Sequence, residues 1–126
     1  MKESTRDLVR KRAGYRCEYC QLHQDDSPLA ALHVEHIVPK KHGGLDDSVN
    51  LALACIDCNL HKGSNLTGID PMTNEITVLF HPRKDRWDDH FDWSGIRIVG
   101  KTSVGRTTIR VLNMNSEDQL ALRACE

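Results

Sequence analysis

Between Leu32 and Val38 the chain alternates, with Leu32, Val34 and His36 on one side of an extended segment and His33, Glu35 and Ile37 on the other. A period of two over that length predicts a β-strand, which Pro39 ends because it lacks a backbone donor. Asn50-Leu51-Ala52-Leu53-Ala54 reads as a short second strand and Cys55 to about Ser64 as a short helix. Upstream, Ser4 or Thr5 can cap a helix with Asp7 near its positive end, running to about Ala13 and stopped by Gly14. Tyr15 to Cys20 is expected to form a tight turn. Gln21 to Leu29, with Asp25, Asp26, Ser27 and Pro28, reads as a loop, as does the stretch carrying Gly43-Gly44 and Asp46-Asp47.

The second half is less regular. Glu75 to Phe80 is apolar and β-branched enough for a strand, Ile96, Ile98 and Val99 suggest another, and Thr102 onward starts a helix through Leu112. Phe80, Trp87, Phe91 and Trp93, which are all the Phe and Trp residues, fall within fourteen positions. Such a cluster reads as a second core ahead of a platform for stacking bases. There is no repeat and no obvious linker. The expected organisation is therefore a core over 1–66 with an extension over 67–126 packed on it as a single unit.

Composition sharpens this picture. The chain has 126 residues, 39% of them hydrophobic and 5% aromatic, a lean core that a bound metal or disulfides commonly support. No apolar run approaches a membrane span, and the first residues lack the apolar stretch of a signal peptide, so the expected location is cytoplasmic. There, paired cysteines bind metal more often than they form disulfides. Cys17-x-x-Cys20 and Cys55-x-x-Cys58 are two knuckles of identical spacing that together supply the tetrahedral sulfur set zinc prefers. The 34 residues between Cys20 and Cys55 make that zinc a clamp around the strand-loop-strand segment. Cys125 is left over. A net charge of −1 argues against an avid nonspecific nucleic-acid binder, but basic residues crowd the first sixteen positions and recur at Lys40, Lys41, His42 and Lys62.

A zinc closed by four sulfurs cannot activate water, so any catalysis must come from other residues. The looped-out segment contains candidates. Glu35 and His36 are neighbours that point apart on a regular strand, although a twist or bulge before Pro39 can bring both to one site. Asn50 follows His36 by fourteen residues, and Asn59 follows Cys58 directly.

In order and spacing, Glu35-His36-Ile37-Val38-Pro39, His42-Gly43-Gly44, Asn50-Leu51 and Cys55-x-x-Cys58-Asn59-x-x-Lys62-Gly63 closely resemble the HNH endonuclease family, in its zinc-containing bacterial branch with two CxxC knuckles. Leu79-Phe80-His81-Pro82-Arg83 and Trp87-x-x-His90-Phe91 resemble the C-terminal extension of a bacterial branch of that family. The resemblance implies a ββα-metal fold and a role for each matching residue. His36 would be the general base. Glu35 and Asn59 would hold one catalytic divalent cation, and Asn50 would bond loop backbone to orient His36. A cation so placed binds the scissile phosphate and stabilises the departing oxyanion, leaving 5′-phosphate and 3′-hydroxyl ends.

Two departures stand out. Many members carry Asp or His where this chain has Glu35, and the His that some members add one turn after the Asn59 position is Gly63 here. His61 does not replace it, since residues two apart on a helix face different ways. Two oxygen ligands favour Mg²⁺ or Mn²⁺ over zinc at the second site.

The expectation is thus an α+β domain: a zinc-clamped ββα core, a basic N-terminal helix and a strand-containing extension. Its expected activity is endonucleolytic hydrolysis of DNA, ahead of RNA, with Lys62, His42, Lys40 and Lys41 as candidate nucleic-acid contacts. The alternatives are a zinc-ribbon-like module that binds nucleic acid or protein without chemistry, and an enzymatically silent relative serving as a scaffold.

Overall fold

In the computed structural model, residues 1–27 and 31–125 are described; Pro28 and Leu29, at the end of the expected loop, lie outside them. Helix α1 (Glu3–Arg12) starts earlier than the hydroxyl residues suggested: Lys2 is its N-cap, without a side-chain cap, and Ser4 and Thr5 lie in its first turn. Glu3 complements the positive end and Arg10, Lys11 and Arg12 the negative end. Gly14, at φ +62°, turns the chain out of the helix. Val9 is its buried anchor, and Arg12 donates to the carbonyls of Ser48 (3.0 Å) and Leu51 (2.9 Å).

Strands β1 (His33–His36) and β2 (Leu51–Ala54) form an antiparallel pair, His36 opposite Leu51 and Glu35 opposite Ala52, and the register runs through His36 without a bulge. The expected one-sided alternation is not what the fold uses. Leu32, Glu35 and Ile37 are all buried, as is every residue of β2, because α1 and α2 (Ile56–Lys62) both pack on this short hairpin. A two-stranded sheet of this size is marginal alone and needs such cover. Cys55 caps α2, its sulfur accepting from Cys58 N–H.

Two further hairpins follow: β3 (Thr67–Ile69) with β4 (Ile76–Val78), and, after the one-turn helix α3 (Trp87–His90), β5 (Phe91–Ser94) with β6 (Arg97–Gly100). Helix α4 (Ser103–Leu112) begins as expected behind Thr102, whose hydroxyl accepts from Gly105 N–H, and packs on α2, β3, β4 and β6. Helix α5 (Glu117–Ala124) is capped by Ser116. The fold is α+β, with small antiparallel sheets between helices.

Phe80, Phe91 and the partly buried Trp87 serve as core, whereas Trp93 is exposed. Phe80 meets Phe91 edge-on at 5.2 Å and Tyr19 at 6.4 Å, Trp87 stacks obliquely on Phe91, and Trp87 donates its indole N–H to Tyr19 C=O. One apolar cluster thereby runs from Val9 through the cysteines to Leu112 and Met114. Among the described residues no helix is long and apolar enough to cross a membrane.

Candidate active site and metal centre

Cys17, Cys20, Cys55 and Cys58 are buried with their sulfurs all within 4.8 Å of one another; among the described residues this is the only such cluster that could hold a metal. Cys20 and Cys55 bring their sulfurs to 3.6 Å. Zinc–sulfur bonds of about 2.3 Å give a tetrahedron with edges of about 3.8 Å, so the set fits zinc. The chain supports these sulfurs as thiolate acceptors. Cys20 N–H points to Cys17 and Cys58 N–H to Cys55, each at 3.4 Å, and Gln119 of α5 adds a side-chain N–H to Cys55 at 3.6 Å. Four thiols packed this closely compete for protons. Burial pushes Cys17 up, while hydrogen bonds among the sulfurs raise Cys58 and lower Cys55. A dication removes that competition by holding all four deprotonated. Cys125 is exposed and apart.

Beside this knuckle, β1 delivers two adjacent side chains to different places. His36 is part-exposed (side chain 22%), and its Nε2 lies 2.7 Å from Asp46 Oδ1; this hydrogen bond holds the Asp46 carboxyl below the usual carboxylate range. Asn50 clasps the loop that follows. Its amide oxygen accepts from Val38 N–H (2.9 Å), and its amide nitrogen donates to Val38 C=O (3.0 Å) and Leu45 C=O (2.9 Å). Gly44 lies so close beneath this clasp that a Cβ there would stand 1.7 Å from the Val38 carbonyl oxygen and 2.9 Å from the Asn50 nitrogen.

Glu35 goes inward. Its carboxylate accepts from Tyr19 O–H at 2.6 Å through one oxygen and meets Lys62 Nζ at 3.3 Å through the other, with side-chain exposures of 6% for Glu35 and 3% for Lys62. Burial raises the Glu35 pKa against the opposing pull of Lys62 and Tyr19, and burial with the Glu35 charge raises Tyr19 well above its ordinary value. Lys62 also donates to His36 C=O at 3.2 Å. Lys62, expected at a phosphate, is thus enclosed and engaged with protein groups. The regular register of β1 leaves no bulge to carry Glu35 and His36 to one point. Asn59 is half-buried on α2, and among the described residues its amide has no hydrogen-bond partner.

The turn over 40–42 is exposed, with Lys40 Nζ 3.7 Å from Asp46 and His42 Nε2 at 3.1 Å from Ser64 C=O. Three contributors escaped sequence reasoning: Tyr19, Asp46 and Gln119. Only Asp46 carried a signal, as an acid ten residues after His36 in a loop returning to the same strand pair. His81 and His90 hold turns, His81 accepting from Arg83 N–H and His90 bonding Thr102.

The four-cysteine ββα unit carries an open histidine at the end of its first strand, and residues 17–65 of the chain match the family model described as HNH endonuclease. Over 107 residues the chain is 29% identical to the Septu protein PtuB of Bacillus thuringiensis, a similarity covering 83% of this chain and 38% of that protein. The chain therefore spans about two fifths of that relative's length. No solved structure matches it.

Proposed function

We propose that this chain is an endonuclease hydrolysing phosphodiester bonds of DNA, with His36 as its general base. The observation that carries this reading is the setting of His36. It is the one imidazole at the open end of the β1–β2 pair, and the backbone is pinned by Lys62 at its own carbonyl and by Asn50 two residues on, at Val38. A base must be reachable by water yet fixed to a fraction of an ångström, and a binding module has no use for both. Lys40 and Lys41, exposed beside it, would meet the phosphate backbone.

HNH nucleases use a divalent cation, for which oxygen ligands favour Mg²⁺ or Mn²⁺. Of the two ligands expected here, Asn59 has an uncommitted amide, but both oxygens of the Glu35 carboxylate are engaged behind the strand. As arranged, Glu35 does not fit a cation ligand. The chain's own contribution is proton transfer and positioning. His36 takes a proton from a water, the water oxygen bonds to phosphorus, and the P–O3′ bond breaks with its electron pair on O3′, which is protonated by solvent. The products are 5′-phosphate and 3′-hydroxyl ends.

The test is plasmid and single-strand cleavage with Mg²⁺ or Mn²⁺ by wild type and His36→Ala, zinc content being measured in both. Cutting by wild type alone supports the reading. Equal cutting by both removes His36 from the chemistry, and no cutting by either favours a zinc-stabilised binding module.

A further inference from the structure

Asp46 has no part in the mechanism above, yet it makes the closest contact His36 has. We propose that Asp46 is a positioning residue that selects the tautomer of His36 carrying its proton on Nε2, leaving Nδ1 as the atom that accepts the proton from water. The inference rests on His36 being the base. An ionised carboxylate only accepts hydrogen bonds, so at 2.7 Å it requires the proton on Nε2. Among the described residues Nδ1 has no hydrogen-bond partner, which leaves its lone pair available.

The pairing is built rather than incidental. Asp46 sits in a loop whose neighbouring backbone is fixed on both sides by Asn50: its side chain holds Leu45 C=O at 2.9 Å and its backbone N–H holds Asp47 C=O at 2.8 Å. The same Asn50 side chain grips Val38, two residues beyond His36. One residue therefore sets both partners of the pair relative to each other. The rival for Asp46 is Lys40, whose Nζ lies at 3.7 Å on a side chain 69% exposed; water screens so open an ion pair, and its geometry is looser than that of the imidazole contact. Once Nδ1 takes its proton, the imidazolium faces the carboxylate that already holds its other N–H, so the charge forms opposite a fixed counter-charge.

The experiment compares Asp46→Asn, Asp46→Ala and Asp46→Glu with wild type as zinc-replete proteins. Cleavage of a duplex oligonucleotide gives kcat and KM, each at titrated Mn²⁺, and nitrogen-15 NMR of the imidazoles, assigned with His36→Ala, reads the tautomer. In wild type we expect neutral His36 to be protonated on Nε2. In Asp46→Asn, whose amide both donates and accepts, the tautomers mix and kcat falls by about 10²-fold or more, with KM and the Mn²⁺ activation constant within about threefold. Asp46→Glu keeps a carboxylate and recovers part of kcat. A wild-type ring protonated on Nδ1 overturns the proposal, and so does an unchanged kcat in Asp46→Ala. A loss that Mn²⁺ repairs would make Asp46 a cation ligand instead, which also overturns it. If wild type does not cut at all, the nuclease reading has failed, and the tautomer measurement still decides whether Asp46 sets the ring.

Discussion

Replacing Lys62 by Met leaves the Glu35 carboxylate enclosed, with Tyr19 O–H as its one remaining hydrogen-bond partner and no ion-pair partner among the described residues. Met retains most of the lysine stem, so the loss is chiefly electrostatic. Removing one member of a buried ion pair costs about 3–5 kcal/mol. A second route gives a similar figure: Glu35 can escape by taking up a proton, and protonating a carboxylate of ordinary pKa near 4.3 at pH 7 costs about 3.7 kcal/mol. Against a total of about 5–15 kcal/mol, that predicts a fall in Tm of roughly 10–20 °C for a chain of this size. The sign with pH follows. In the variant the folded Glu35 pKa lies further above its unfolded value, so the deficit is small near pH 4 and grows as pH rises. Thermal melts of zinc-replete wild type, Lys62→Met, Glu35→Gln and the double variant, followed by circular dichroism, measure it. The double variant should recover about 1 kcal/mol or more relative to the sum of the singles. A Lys62→Met cost under about 1 kcal/mol, with strictly additive singles, would refute the buried pair. A Lys62→Met protein that Mg²⁺ restores would show instead that Glu35 turns to a cation when freed.

Stripping the four-cysteine centre with a chelator should release one zinc per chain and abolish the cooperative melt, because the β1–β2 pair has too few residues to hold itself; a stripped chain melting unchanged would contradict this. Gly44→Ala should displace Val38 from Asn50 and lower cleavage more than tenfold while zinc content stays full, since the added Cβ collides with backbone and cannot rotate away. Asp70 is buried and receives two hydrogen bonds from Arg106, which hold its carboxyl down to about 2. Its stabilising effect is complete above the unfolded carboxylate pKa and lost as pH falls toward 2, so the stability gap between wild type and Asp70→Asn should narrow between pH 4 and pH 2 in urea titrations.

What was readable in the sequence was whatever is local. The two CxxC turns, the β1–β2–α2 succession and the Thr102-capped helix α4 each depend on neighbours within a few positions. Helix α5 went unread because the residues it buries are Gln119 and Arg123, so no apolar period marks it. Strand β5 buries only Phe91, and β3 has three residues, none of them buried, so neither alternates detectably. At the site, matching motifs brought Glu35 and Lys62 into the reading but not the direction in which they point. Glu35 and Lys62 meet because a strand and a helix close on each other, and a partnership across 27 positions leaves no periodic trace. The start of α1 was misjudged for the opposite reason: Ser4 and Thr5 are good caps in isolation, but the helix begins two to three residues earlier, with the donors of Thr5 and Arg6 met at Lys2 C=O.

The Asn50 clasp divides the loop between the strands into a frame and a tip. Val38, Leu45 and Asp47 are tied down, whereas Lys40 and Lys41 project beyond the knot and His42 bonds Ser64 C=O instead. A tip of this kind is interchangeable: other side chains, or a few extra residues, can be spliced there at little cost to stability. Trading residues there would alter the charge this face presents while leaving the clasped frame behind it unchanged.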